Sequence, residues 1–217
     1  MDFIPPKLAE TLSAIGRTDG LPITLKRALD PGTDFVPIPD PKPGDWLAEH
    51  HEAGEPFDDF VRVKSNKPDS LRNKIYLQPL EHFLEGRSAS LETLKDYGAA
   101  YFVMDVKILP SLALKDSKLR TRINPISRNQ QILTSDVLTF LKRKLPADAF
   151  CLLAITMEDL YPDPSWNFVF GQASLWDRVG VFSFARYDPA FYGQGRGKDY
   201  QEILLRRSCK VLAHEIA

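Results

Sequence analysis

A histidine and a glutamate, His214-Glu215, close an apolar, helix-periodic segment running Lys210-Val-Leu-Ala-His-Glu-Ile-Ala217. On a helix this pair is the opening half of the pattern H-E-x-x-H, in which two imidazoles one turn apart grip a zinc ion and the glutamate acts as general base. The second imidazole would fall four residues after His214, directly beyond Ala217. The residues therefore offer one metal ligand and one candidate base, whereas a catalytic zinc takes three protein ligands and an open position. Standing alone, such a pair reads first as part of a solvated helix face.

Other chemistry-bearing clusters read as structure. His50-His51-Glu52 lies between proline-rich stretches with nothing nearby to complete a ligand set. Glu158 to Asp163 is acidic but lacks the spacing of a calcium loop, so it reads as a turn ending a strand. Lys115, Lys118, Arg120, Arg122 and Arg128 form a basic run without interleaved aromatics, which suits a solvated loop or exposed strand better than a nucleic-acid surface. Gly193, Gly195 and Gly197 satisfy neither the G-x-G-x-x-G nor the G-x-x-x-x-G-K-[ST] phosphate pattern and read as a mobile connection. Cys151 and Cys209 sit among apolar neighbours, as buried free thiols do.

Composition narrows the class. A chain of 217 residues, 43% hydrophobic and 26% charged, with formal net charge -1, is that of a soluble globular protein. The balance gives no reason to expect nucleic acid or a membrane as partner. No stretch approaches the ~18 apolar residues of a membrane span. With no basic and apolar leader at Met1-Asp-Phe-Ile-Pro-Pro6, a cytoplasmic location is expected.

The elements that must position these side chains follow from periodicity. Residues 1–73 are crowded with proline, which prevents a long helix or central strand; an irregular layer is expected there, with a short helix at 8–15 and Trp46, Phe57 and Phe60 pinning it to the main body. Strands are expected at 74–80, 100–109, 150–157, 166–174 and 179–185, the last two as a hairpin around Trp176-Asp177-Arg178. The continuous apolar run 150–157 reads as a central strand buried on both faces. Helices are expected from Ser90 as N-cap, over 134–145 with Ser135 as cap, and from a capping box at Asp199 and Glu202 to the end. On the last helix Leu205, Cys209, Leu212 and Ile216 form one stripe, with His214 directed away from it. The fold class is α+β, α/β-like, with a mixed sheet.

Several separate blocks then carry a resemblance: Lys74-Ile-Tyr-Leu-Gln-Pro79, the strand ending Leu109-Pro110-Ser111, Asp159-Leu-Tyr-Pro162, Ser165-Trp-Asn-Phe-Val-Phe-Gly-Gln-Ala-Ser174, Gly180-Val-Phe-Ser-Phe-Ala-Arg186 and His214-Glu215. In this order they resemble the archaemetzincins, zinc-dependent metallopeptidases of the metzincin group. The family signature is H-E-x-x-H-x-x-G-x-x-H followed by cysteines that hold a second, structural zinc, with a methionine turn below the catalytic metal; this sequence matches its first two residues. The resemblance implies that 74–217 form an upper subdomain, a twisted mixed sheet with a backing helix at 134–145, ending in the first half of the active-site helix, with the lower subdomain absent.

The same resemblance implies that His214 is a Zn2+ ligand, that Glu215 is the base, and that the substrate is a peptide or protein. It also implies that the strand containing Gly180, Val181, Phe182 and Ser183 is the cleft-side edge to which an extended peptide adds. Ser183 and Arg186 receive no role. Two readings stay open: a metallopeptidase whose sequence stops short, inactive as it stands, or a zinc-free protein of the same fold that binds peptides.

Overall fold

The computed structural model describes residues 6–30, 32, 39–43, 45–49, 54–63, 65–83, 86–114 and 118–217. The chain divides into two compact units, Met1–Ser65 and Asn66–Ala217. His50, His51, Glu52 and Lys115 lie outside the described residues.

Among its described residues the first unit contains four short helices, α1 (Leu8–Ile15), α2 (Ile23–Leu29), α3 (Trp46–Glu49) and α4 (Phe57–Arg62). The one at 8–15 was expected; the others show that proline spacing limits helix length without forbidding helices, since Pro22 and Pro56 stand immediately before α2 and α4. None of the described residues of these helices is buried. Phe57 and Phe60, expected as anchors, are exposed.

The second unit is built on a five-stranded sheet in the order β2-β1-β5-β8-β7, where β1 is Lys74–Pro79, β2 Asp105–Ile108, β5 Ala149–Thr156, β7 Gly171–Ser174 and β8 Val179–Ser183. β2, β1, β5 and β8 run parallel, and β7 returns antiparallel to β8. Between β1 and β2 lies α5 (Leu91–Phe102), whose Ser90 hydroxyl accepts from the Thr93 N–H as the sequence led us to expect. α5 takes up Ala100–Phe102, which read as strand, so β2 is shorter than foreseen.

Alternation in the central strands feeds two cores. Ile75, Leu77, Leu153, Ile155 and Phe182 point to one face, where they meet α5 and α7 (Tyr200–Ile216). Tyr76, Leu152, Ala154, Val179 and Val181 point to the other, where they meet Val137 and Leu141 of α6 (Thr134–Lys142). Burial on both faces is what the unbroken apolar run in β5 implied. No helix among the described residues is long and apolar enough to cross a membrane.

A second, three-stranded sheet was not foreseen: β3 (Thr121–Ile123), β4 (Gln130–Leu133) and β6 (Asp159–Tyr161), in the order β3-β4-β6. β6 replaces the expected acidic turn. Its Asp159 is buried and tolerates this because Arg186 donates from Nε and Nη2 to its two carboxylate oxygens, each at 2.8 Å. Two expected caps also differ. Leu133, not Ser135, precedes α6, and Asp199 precedes α7 without a side-chain cap bond, while Glu202 pairs with Arg206 at 2.5 Å.

Candidate active site

The site lies where the end of α7 crosses the edge of the large sheet. The buried stripe of α7 is Tyr200, Leu204, Ser208, Leu212 and Ile216; Leu205 and Cys209, expected on it, flank it half-buried. Sequence hid this register because a serine occupies the stripe, and it can do so because its hydroxyl donates to the Leu204 carbonyl at 2.8 Å. The N-terminal end of α7 is tied down by Tyr200, whose hydroxyl donates to the Arg87 carbonyl at 2.9 Å, and by Arg196, which pairs with Asp188 at 2.6 Å.

With that register fixed, His214 falls on the exposed face and Glu215 on the flank turned to the sheet edge. Glu215 is half-buried against Gly171 of β7. A methyl group at position 171 would collide with Glu215 Oε1, lie 2.7 Å from its Cδ and lie 2.9 Å from the Val181 carbonyl oxygen, so only glycine leaves room for the carboxyl there. Burial pushes the Glu215 carboxyl up to about 7. The side chain makes no hydrogen bond or ion pair with any described residue.

The strand assigned to substrate needs correction. β8 is internal, with ladder partners in β5 on one side and β7 on the other, and Gly180, Val181, Phe182 and Ser183 are all buried. Val181 and Phe182 are core residues, and Gly180 faces Leu153, where a methyl group would stand 2.8 Å from Cδ1. The Ser183 hydroxyl accepts from the Ala185 N–H at 3.0 Å. The edge belongs to β7, half-buried along its length and paired on one side only among the described strands. The signal was present: Val179-Gly-Val-Phe-Ser-Phe184 has no polar alternation, as befits a strand covered on both faces, whereas Gly171-Gln-Ala-Ser174 is small and polar.

Sequence reasoning also missed what lies beside the pair. Tyr187, in a short 3-10 turn Ala185–Tyr187 that follows β8 and packs on α7, is buried, and its ring stacks on Phe170 at 5.6 Å between centroids. The approach to β7 is held by a polar network: Arg122 donates to the carbonyls of Pro164, Trp166 and Asn167, Asn124 Nδ2 donates to Asn167, and Gln131 Nε2 donates to Asp159 Oδ2 at 2.8 Å. The Arg186 guanidinium lies 3.5 Å from the Phe168 ring centroid. Cys151 and Cys209 are free thiols, and burial pushes Cys151 up to about 12.

Archaemetzincin-2 of Homo sapiens is 40% identical to this chain over 88% of its residues, and the chain spans 61% of that protein's length. Over most of its length this chain is similar to archaemetzincins. Archaemetzincin-1 of Homo sapiens is 38% identical over 70% of the chain, which covers 31% of that relative. Among solved structures, a zinc-dependent peptidase from Methanocorpusculum labreanum matches with a TM-score of 0.49 at 24% identity, covering 65% of this chain and 78% of that one. No family model matches.

A catalytic zinc needs three protein ligands, and the residues of this chain are to be set against that need. Its exposed imidazole at His214 is accessible to an ion, but no group of three or more histidines, cysteines or acids among the described residues could hold one. The described residues alone do not fit a catalytic zinc. His214 fits as one member of a larger ligand set.

Proposed function

We propose that this chain carries the base and the first metal ligand of a zinc-dependent metallopeptidase site, acting on peptides or proteins. Glu215 takes the proton of the attacking water, His214 is the ligand, and an extended substrate pairs with the open edge of β7. One observation supports this most: the Glu215 carboxyl is desolvated, without a polar partner among the described residues, and stands at the only edge of the large sheet that α7 crosses among the described strands. Desolvation brings it near the pKa of a base that works at neutral pH. Substrate main chain on β7 lies beside that carboxyl, because Gly171 is both the first residue of the edge strand and its contact.

With one ligand among the described residues, we propose further that the 217 residues by themselves retain no stoichiometric catalytic zinc and hydrolyse no peptide. The same observation favours a second reading, a protein of this fold that binds peptides without cleaving them. Metal analysis of the dialysed 217-residue protein, with and without His214→Ala, tests the ligand assignment. Tight zinc that is lost in His214→Ala would reveal ligands beyond those described. In a longer protein that supplies the remaining histidines of the family signature, Glu215→Gln is expected to keep the metal and lose most turnover, because glutamine is nearly isosteric but takes no proton. Hydrolysis by Glu215→Gln at the parent rate would overturn the base assignment and leave the peptide-binding reading.

A further inference from the structure

Among the described residues, Tyr187 carries the one buried side-chain polar atom without a hydrogen-bond partner. Leaving a buried hydroxyl unsatisfied forfeits its hydration without replacement, so such an atom calls for an explanation. The packing supplies one. The Tyr187 ring lies on Phe170, the next residue, Gly171, holds the Glu215 carboxyl, and the turn that carries Tyr187 packs on α7, where Glu215 sits. The two charged groups that bear on the hydroxyl are Glu215 and Arg207, and Arg207 is exposed. A donor without an acceptor and an acceptor without a donor thus share one desolvated corner of the edge strand.

We propose that the Tyr187 hydroxyl is linked to the Glu215 carboxylate through one trapped water, to which it donates a hydrogen bond, and so is a positioning residue for the proposed base. This rests on the assignment of Glu215 above. Tyr187 is well suited to such a role, because its ring is fixed between Phe170 and the core and its hydroxyl has no competing acceptor among the described residues. A carboxylate held in this way keeps one oxygen engaged and leaves the other for the substrate water, whereas an unheld side chain on a helix surface samples several rotamers.

The test is a double-mutant cycle on the 217-residue protein at pH 8, using Tyr187→Phe, Glu215→Ala and the pair, with unfolding by denaturant as the readout. Tyr187→Phe is expected to lower the folding equilibrium constant about five-fold or more when Glu215 is present and to have little effect when Ala replaces it. A second readout does not depend on stability: the 13Cζ resonance of Tyr187, assigned by its loss in Tyr187→Phe, is expected to shift in Glu215→Ala. Additive mutational effects together with an unmoved resonance overturn the proposal. Because neither readout involves zinc or turnover, failure of the peptidase reading is distinguishable from failure of the contact.

Discussion

At the scale of single residues, the chain places ionisable groups away from water for two different ends. Glu215 is desolvated without a countercharge, which raises its carboxyl from 4.5 to about 7. Between those values the folded protein binds more protons than the unfolded chain, so this group's contribution to stability falls as pH rises through the window and levels off above it. In metal-free protein, Glu215→Gln is therefore expected to be near neutral at pH 4.5 and stabilising by about 2 kcal/mol at pH 7.5, a figure that already allows for part of the shift being offset by the water-mediated link to Tyr187. Denaturant melts of both proteins across that range check it, and a flat difference would mean that the carboxyl is solvated. Asp159 is the opposite case, buried with Arg186 bidentate upon it and Gln131 completing its shell. Removing one partner strands a buried charge, so Asp159→Asn or Arg186→Met is expected to cost about 3–5 kcal/mol, while an apolar replacement of both costs less than either alone. A loss in the double variant equal to the sum of the two single losses would show that the two groups are not coupled.

At the scale of elements, local signals were legible where they reported local physics. β1 and β5 follow from apolar runs bounded by turn residues, and the N-cap of α5 follows from Ser90. The small sheet was not legible, because β3 and β4 are polar and short and β6 begins on an acid whose partner is 27 residues away. Strand order was half legible: the unbroken apolar run of β8 marks a strand covered on both faces, but only pairing shows that β7 lies beside it at the edge, and with it which backbone stands beside Glu215. His214 and Glu215 could be picked out from spacing, but Gly171 and Tyr187 could not, since what marks them is contact made through the fold. One local choice runs against its own propensity. α5 ends at Val103 in the left-handed region, φ 53°, where a β-branched side chain is strained, and that side chain is 88% exposed. Val103→Gly is expected to raise stability by about 1 kcal/mol, read as a higher denaturant midpoint at unchanged slope, because it relieves strain without removing packing. A loss of stability would show that the side chain is held by contacts worth more than the strain.

At the scale of the whole molecule, burial is divided unequally between the two units. Every residue in both hydrophobic cores belongs to the second unit, from Ile75 to Ile216. The described helices of the first unit are 8, 7, 4 and 6 residues long and bury none of their described residues. Helices of that length are below the roughly 12–15 residues at which an isolated helix becomes marginal in water, so α1 to α4 contribute little cooperative free energy of their own. The five-stranded sheet with helices on both faces, by contrast, has the layers that a self-sufficient domain needs. Residues 66–217 alone are therefore expected to unfold in one cooperative transition, with an unfolding free energy within about 1 kcal/mol of that of the full chain and a modestly smaller slope in proportion to the surface removed. The site should follow the same division, since α7, β7 and the Ala185–Tyr187 turn all lie within that unit. The Tyr187 resonance and its response to Glu215→Ala should be the same in residues 66–217 as in the whole chain. If removing residues 1–65 instead abolished the cooperative transition, the exposed apolar residues of α1, α2 and α4 would have to be supporting the second unit, and the division of stability argued from burial would be wrong.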